Sequence, residues 1–479
     1  MTGNIEQRRL RKVLLINPNT RAEILAPPLG LVYLASYARN IFPDCKFKLF
    51  DFGAFKKSME EQAQIIAKEE PDIVGITAMT PNISNALKLA EVVKKIDPSI
   101  VVILGGVHVS AVGRPDSPYL DSVVLGEGEQ ALVELLQMYQ SGKPLPKVHT
   151  TDFIKDIDFF PAWDLVDFSN YSWFSPSKYK SQAVVYWSRG CPFNCTFCPN
   201  VIWKPQKVRF RTPENIVDEL ELLQKKYKIK EVYVFDDEVN TNPDWLIQVC
   251  DEIVNRNLNI VWKCQMRASE RETPDQLFTK MKEAGCWHIA WGIESGEDHV
   301  LKHIRKHLST GEVYRALKLS KDVGITNQGL FMLGNIWYDQ KGKPAGETYE
   351  DCRKTIDFAK KLRDLRYLDY IQFNIATPYP GSEVWDIVQR FNLLRNFEGW
   401  DGWGMDTHTV LFSHPVLTEQ DILKLHREAW MTFSLSFSFL LSHLSRIRNF
   451  DDIYGLLRSA RVALNVILTG HPRKGGKKK

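Results

Sequence analysis

Three cysteines, Cys191, Cys195 and Cys198, stand in a C-x3-C-x2-C pattern within Ser188-Arg189-Gly190-Cys191-Pro192-Phe193-Asn194-Cys195-Thr196-Phe197-Cys198. Thiolates are soft ligands suited to zinc and to iron–sulfur clusters. Structural zinc usually takes four protein ligands, often as two C-x2-C pairs, and the chain has no second pair. Three thiolates instead satisfy three irons of a [4Fe–4S] cluster and leave the fourth iron open. An open iron can hold a chelating molecule through an amine and a carboxylate and pass it an electron. The remaining cysteines, Cys45, Cys250, Cys264, Cys286 and Cys352, are scattered singly and read as small buried hydrophobes.

Groups able to receive such a molecule end the neighbouring strands. The run Glu231–Phe235 stops at Asp236-Asp237-Glu238. Acidic residues there can hold an ammonium, or can form a plain solvated turn. Ile260–Met266 stops at Arg267, a guanidinium suited to a bidentate grip on a carboxylate. His288–Ile293 stops at Glu294-Ser295-Gly296. Two further strands are read near 329–334 and 371–375, the second followed by Pro378-Tyr379-Pro380-Gly381-Ser382. Thr212-Pro213-Glu214 opens an amphipathic helix to Tyr227 with a good N-cap signal. Counted from Val184, about six strands alternate with helices, which predicts a partial (β/α)6 barrel with its reactive groups at the carboxyl ends of the strands. The segment Asn335 to Glu347 is either a cover over the substrate or a solvated insertion.

The first third reads as a second α/β unit. Short apolar runs at 13–16, 46–51, 73–76 and 100–104 alternate with helical periods near 31–39, 59–68 and 83–96. That pattern predicts βαβ units and a parallel, Rossmann-like sheet. Ligands bind beyond the carboxyl ends of such strands. The informative positions are therefore Asn17, Thr77, Met79, Thr80, Gly105, Gly106, His108, and the run Gly126-Glu127-Gly128-Glu129. Glycine there lets a ligand approach the backbone, although a Gly-Gly pair is most often only a tight turn. No GxGxxG follows the first strand, which counts against a dinucleotide site.

The whole chain bounds these readings. Its 479 residues exceed a single core of ~250–300, so several domains are expected. The boundaries fall at 1–150, a connector at 151–182, the barrel at 183–390, and a helical C-terminal region at 391–479. Eight cysteines in this length exclude a disulfide scaffold. A net charge of +4 is too small for a dedicated nucleic-acid binder, and five basic residues at Arg473, Lys474 and Lys477 to Lys479 account for its sign. The N-terminal apolar run breaks at Asn17-Pro18, too short for a signal peptide, and the uncharged stretch near 429–445 is short of a span. The protein reads as cytoplasmic, where an oxygen-sensitive cluster finds reducing conditions.

The cysteine motif is the signature of the radical S-adenosylmethionine (SAM) superfamily. The first third resembles the cobalamin-binding domain of many of its members, through Pro27-Pro28-Leu29-Gly30-Leu31, Gly105 to His108, and Gly126 to Glu129. Class B radical SAM methylases and the anaerobic Mg-protoporphyrin ester cyclase belong to that group. The resemblance implies three cofactors: a [4Fe–4S] cluster, SAM and cobalamin. It places the backbone near Phe197 against the SAM adenine and Asp236–Glu238 at the SAM ammonium. The family's G-I-E-S-G matches Gly292 to Gly296 and puts Glu294 near the SAM ribose or amine. The P-x-P-G turn would close the barrel beside the site. Relatives that ligate cobalt through histidine carry D-x-H-x-x-G after the first strand, whereas the loop from Asn17 to Gly30 has no histidine. No histidine is therefore expected on the lower face of cobalt, and His108 reads equally as a backbone-bonded loop residue.

The implied activity is C-methylation at an unactivated carbon. A 5′-deoxyadenosyl radical would take hydrogen from the substrate and methylcobalamin would supply the methyl group. Cyclisation, coupling or rearrangement on the same scaffold is the alternative, and a cobalamin or cluster sensor without turnover is the reading from another class. An electron donor such as ferredoxin or flavodoxin is the expected partner, with no nucleic acid. The C-terminal stretch Leu417 to Leu468 reads as helix, with Trp430, Phe433, Phe437, Leu440, Leu441 and Leu444 at helical spacing. It is a cap on the barrel or an interfacial pair of helices. In the second case Arg446, Arg448, Arg458, Arg461 and the basic tail would give a peripheral membrane contact and a lipid-like substrate. Otherwise the substrate is a small molecule that the sequence leaves unnamed, and Trp203, Trp337 and Trp400 read as packing.

Overall fold

The computed structural model describes residues 8–20, 26–171, 176–199, 207–395, 399–400, 403 and 409–434. The C-terminal positions from Phe437 onward, and Trp203, lie outside these. The first sheet contains β1 (Lys12–Asn17), β2 (Lys46–Asp51), β3 (Ile73–Thr77), β4 (Val101–Gly105), β5 (Ser122–Leu125) and β6 (Val148–Thr150). Its order is β2-β1-β3-β4-β5-β6, all parallel. The strand order turns back at β1, so β1 and β3 flank the crevice where such sheets take ligands. The helices are α1 (Leu29–Ile41), α2 (Phe52–Phe55), α3 (Met59–Glu69), α4 (Ile83–Ile96), α5 (Val107–Val112) and α6 (Glu129–Gln140). Helix α1 is longer than its periodicity suggested because Leu29, the first residue, already packs into the core. Helix α3 starts at a reciprocal cap in which the Ser58 and Glu61 side chains each accept the other's backbone N–H.

The second sheet is the partial barrel. It contains β7 (Gln182–Val185), with β8 (Ser188–Arg189) and β9 (Arg209–Phe210) forming a short antiparallel ribbon beside it. Then come α7 (Pro213–Tyr227), β10 (Glu231–Val234), α8 (Pro243–Asn255), β11 (Val261–Met266), α9 (Asp275–Glu283), β12 (Cys286–Glu294), α10 (Asp298–His303) and α11 (Thr310–Asp322). They are followed by β13 (Thr326–Leu333), the hairpin β14 (Ile336–Tyr338) and β15 (Pro344–Gly346), α12 (Tyr349–Asp364), β16 (Tyr370–Ile375), α13 (Glu383–Arg390) and α14 (Glu419–Ser434). The parallel order is β16-β13-β12-β11-β10-β7. One face of every strand, including Val232, Val234, Trp262, Cys264, Ile289, Trp291, Phe331 and Phe373, lies in the main hydrophobic core. The segment Asn335 to Glu347 folds as this hairpin, with Ile336 fully buried against Val384, Ile387 and Val388 of α13 and the tip, residues 340–343, exposed.

The connector was expected to lack regular structure, and it consists of short turns, yet it is well packed. Trp163 is 2% exposed and donates Nε1–H to Glu219 of α7 at 2.8 Å. Glu219 also pairs with Arg211, and both side chains are buried. Tyr171 donates its hydroxyl to Asp51 at the end of β2, 3.0 Å away. Aromatic residues too irregularly spaced to show a period thus bind the two sheets into one core. No helix among the described residues is long and apolar enough to cross a membrane.

Candidate active site between two strand-end faces

The cluster loop leaves β7 through Trp187 and the ribbon strand β8. Asp236, just past β10, holds this exit in place. Its carboxylate accepts from the Trp187 backbone at 2.8 Å and from the Ser188 hydroxyl at 2.6 Å. Burial pushes its pKa up to about 7. Both oxygens thus serve the chain itself, so Asp236 shapes the loop where the resemblance had it receiving an ammonium. Further along, Thr196 N–H donates to Ile304 at the end of α10, and Thr196 carbonyl accepts from Val384 of α13. Helix α13 begins at the P-x-P-G turn, which therefore lies beside the cluster loop. All three cysteines of the motif are free of disulfides. Burial pushes the Cys191 thiol up to about 12, so cluster ligation must displace its proton. The donor set and its suspension between two helices fit a three-thiolate cluster.

Beside this loop sits a buried set of charged groups. The Arg267 guanidinium stacks on Phe193 of the loop, 3.9 Å from the ring centroid, with the side chain nearly inaccessible. Its Nε and Nη2 have no hydrogen-bond partner. Leaving a buried guanidinium donor unmet costs several kcal/mol on the order of a lost charged hydrogen bond. These donors therefore fit an anionic ligand such as the SAM carboxylate. Glu238 accepts the Arg267 backbone N–H at 2.8 Å. Burial raises its pKa to about 7, while Lys306 and Arg267 pull the other way. Glu294 ends β12 in the left-handed region, at φ +68°, after a break in register with β13. Its carboxylate accepts from Lys306 at 3.0 Å. Ser295 is fully buried, bonded to Thr355 of α12 at 3.0 Å, so its side chain anchors this turn. Asp237, past the end of β10 between Asp236 and Glu238, is exposed.

Lys306 was not singled out by the sequence. It is 8% exposed, its ammonium lies 5.9 Å from the Phe197 ring centroid, and it bridges Glu294 to the cluster loop. Burial alone would lower its pKa, but Glu294 reverses the direction. One sequence signal could have exposed it. A Cβ on Gly292 would lie 2.8 Å from Lys306 Nζ, so the first glycine of the G-I-E-S-G run is the space this lysine fills.

The first sheet presents its own strand ends to this region. Gly106 has φ +108°, and a Cβ there would sit 2.5 Å from the Ala78 carbonyl oxygen. Gly126 has φ +89° and open space where its side chain would be, a cradle that a bulky ligand can enter. Met79, past the end of β3, is 53% exposed. The open space at Gly126 and the uncovered apolar Met79 fit the broad face of cobalamin. Four other predicted positions are engaged within the chain. Asn17 donates to Asp51 at 2.8 Å. The Thr77 backbone lies in register with Gly105, and Thr80 is buried against His108 at 3.2 Å. His108 is itself 3% exposed, with Trp400 edge-on at 4.7 Å, and burial lowers its pKa to about 4. Trp400, read as packing, does pack, and it sets the C-terminal region against the turn after β4.

The glutamates of the 126–129 run face the barrel. Glu129 accepts from Arg189 at 2.7 Å, and Glu127 takes both terminal nitrogens of Arg209, one at 2.9 Å. Arg189 and Arg209 are paired neighbours on the β8–β9 ribbon. The carboxylates expected to meet cobalamin instead fasten the first sheet to the root of the cluster loop. Gly128 allows the close packing, since a Cβ there would strike Leu34 of α1 at 2.9 Å.

Known proteins resemble this chain in sequence and in fold. The radical SAM superfamily model matches residues 185–359, and the B12 binding domain model matches residues 19–136. An uncharacterised methyltransferase of Pyrococcus horikoshii is 32% identical over 480 residues, covering 94% of this chain and 99% of that one. The anaerobic magnesium-protoporphyrin IX monomethyl ester cyclase of Rubrivivax gelatinosus is 29% identical over 402 residues, 78% of this chain and 69% of that one. Among solved structures, the cobalamin-dependent SAM radical enzyme OxsB with aqua-cobalamin and SAM bound has a TM-score of 0.68 at 17% identity, covering 97% of this chain and 74% of that one. The likeness in structure shows the shared fold. The protein is an enzyme, which sets aside a sensor without turnover, and its cofactors are a [4Fe–4S] cluster, SAM and cobalamin. The chain belongs to the radical SAM superfamily, in the branch whose members carry an N-terminal B12-binding domain.

Proposed function

We propose that the enzyme is a C-methyltransferase acting at an unactivated carbon of a small molecule. The observation that carries this reading is the ion-paired contact of the Gly126–Glu129 loop with Arg189 and Arg209, which sets the cobalamin rim beside the cluster loop. A methyl donor and a hydrogen-abstracting centre must reach one carbon, and that contact gives them a common space. When bound, the cluster and SAM supply the one-electron chemistry that opens a C–H bond, and methylcobalamin supplies the methyl group.

The chain's own residues bind and orient. Cys191, Cys195 and Cys198 hold the cluster. Arg267 takes the SAM carboxylate on its unpartnered nitrogens, while Glu238 and Glu294 stand at the amine and ribose. Lys306 holds Glu294 in position. Gly105, Gly106 and Gly126 admit cobalamin, with Met79 against it. Residues 1–150 form the cobalamin unit, 151–182 the connector, 183–390 the barrel and 391–479 the C-terminal region. An acidic one-electron carrier such as ferredoxin or flavodoxin feeds the cluster.

The test is an anaerobic reaction of the reconstituted holoenzyme with SAM, a reductant and extracts of the producing cells. 5′-Deoxyadenosine together with a product one methyl heavier supports the proposal. 5′-Deoxyadenosine with a cyclised or rearranged product of unchanged carbon count would replace it with the cyclase reading, which the Rubrivivax relative favours.

A further inference from the structure

We infer that the inner face of the barrel receives an uncharged, hydrogen-bonding part of a water-soluble substrate, and not a hydrocarbon chain. The inference rests on the methyl-transfer reading only in taking this face as the substrate's side of the site. Paired residues of a parallel sheet point the same way, so the register identifies the face opposite the helices. Tyr233, Lys263, His288 and Thr326 form one layer. Gln265, Ala290, Gln328 and Tyr370 form the next, and Gly292, Leu330 and Gln372 the one above. Asn374 follows Gln372 on the same face of β16.

This wall is unusual for a barrel interior, which ordinarily carries branched apolar residues. Its amides and phenols are bonded sideways. Gln265 donates to the Tyr233 hydroxyl at 2.6 Å, the His288 ring meets Gln328 at 3.3 Å, and Gln372 donates to Asn374 at 3.0 Å. Gln265, Gln328 and Asn374 are only half-buried and Gln372 is exposed, so the face is open to solvent. Gln328 also donates to Gln372 at 3.4 Å. A primary amide has two donors and two acceptor sites, so even two lateral bonds leave capacity on each.

Charge sits only above and below. At the floor, Lys263 pairs with Glu231 at 3.7 Å and donates to the Pro176 carbonyl at 2.8 Å. Glu231 also accepts from the Lys178 and Tyr179 backbone, so the end of the connector closes the barrel base. At the mouth, Glu238, Arg267, Glu294 and Lys306 form the set assigned to SAM. Between them the described wall has no cation for a phosphate, and its apolar members are each set beside polar ones: Phe235 beside Tyr233, Ala290 between Gln265 and Gln328, Leu330 beside Gln372 and Met332 beside Asn374.

The experiment measures retention by the holoenzyme. Wild-type holoenzyme is equilibrated with the aqueous and the chloroform extracts of the producing cells and desalted, and released compounds are identified by mass spectrometry. An uncharged water-soluble compound should be retained. The double variant Gln328→Leu/Gln372→Leu should retain about tenfold less, as expected for two lost hydrogen bonds. Gln372→Leu alone, at an exposed position that folding tolerates, should fall in between. Retention of an acyl lipid, retention of no polar compound, or equal retention by the variants overturns the inference. Labelled methyl transfer from SAM to the retained compound is scored separately. Polar retention without labelling removes the methyl-transfer reading and leaves this one, and labelling of a lipid does the reverse.

Discussion

At the scale of single residues, the site separates groups that bind ligands from groups that bind the chain. In the proposed site the three cysteines hold the cluster and no other cysteine adjoins them in sequence, so Cys191→Ala, Cys195→Ala or Cys198→Ala should each abolish 5′-deoxyadenosine formation. Iron content and the visible absorbance of the reconstituted protein should fall with it. Lys306 acts through Glu294, whose carboxylate it neutralises inside the protein. Lys306→Met leaves that carboxylate buried and unpaired, a loss worth about 1.5–3 kcal/mol. SAM binding measured by equilibrium dialysis should weaken roughly ten- to a hundredfold, and Lys306→Arg should recover part of it. A Kd unchanged in the methionine variant would refute the positioning role. The sequence showed the cysteines because their chelation is encoded within eight residues. It did not show which carboxylates are spent on the chain itself. Asp236 meets Trp187 across 49 positions and Glu127 meets Arg209 across 82, and only the folded approach reveals such pairings.

At the scale of elements, strand ends carry the function and the turns after them carry the constraint. The α5 turn exists because Gly106 folds back over Ala78, whose N–H and carbonyl it nearly touches. Gly106→Ala must relieve both a positive φ and a 2.5 Å contact with backbone. It should lower stability by about 2–4 kcal/mol and reduce cobalamin binding, read by chemical denaturation and by absorbance titration. Denaturation identical to wild type would show that the turn is not constrained. The alternation of short strand runs and helical periods made both sheets legible: inner strands of the first sheet, buried on two faces, run as continuous hydrophobics, and the barrel strands keep an apolar face toward the helices. The β14–β15 hairpin and the connector were not legible. Each has too few residues for a period, and each is held by partners far away in sequence, Ile336 by α13 and Trp163 by Glu219.

For the whole molecule, buried carboxylates tie stability to pH. Glu347 is fully buried and accepts the backbone N–H groups of Gly334 and Asn335, and burial raises its pKa from 4.5 to about 7. A raised folded pKa means the native state holds the proton more tightly. Its contribution is fully present below pH 4.5 and is lost as pH rises through about 7. The loss is on the order of 3 kcal/mol, so melting temperature should drop between pH 5 and 8, and Glu347→Gln should flatten that slope. A slope unchanged in the variant would assign it elsewhere. The Arg189–Glu129 pair has a consequence of another kind. One arginine stands at the root of the cluster loop and pairs with the strand-end loop proposed to meet cobalamin, so the two proposed cofactor sites share a residue. Thermodynamic linkage makes such sharing reciprocal. Whatever factor a loaded cluster adds to cobalamin affinity, cobalamin must return as tenacity toward iron. Iron release to a chelator should therefore slow when cobalamin is bound, and Arg189→Ala should erase the difference. Maturation of this enzyme would then be self-reinforcing, with the first cofactor seated protecting the place of the second.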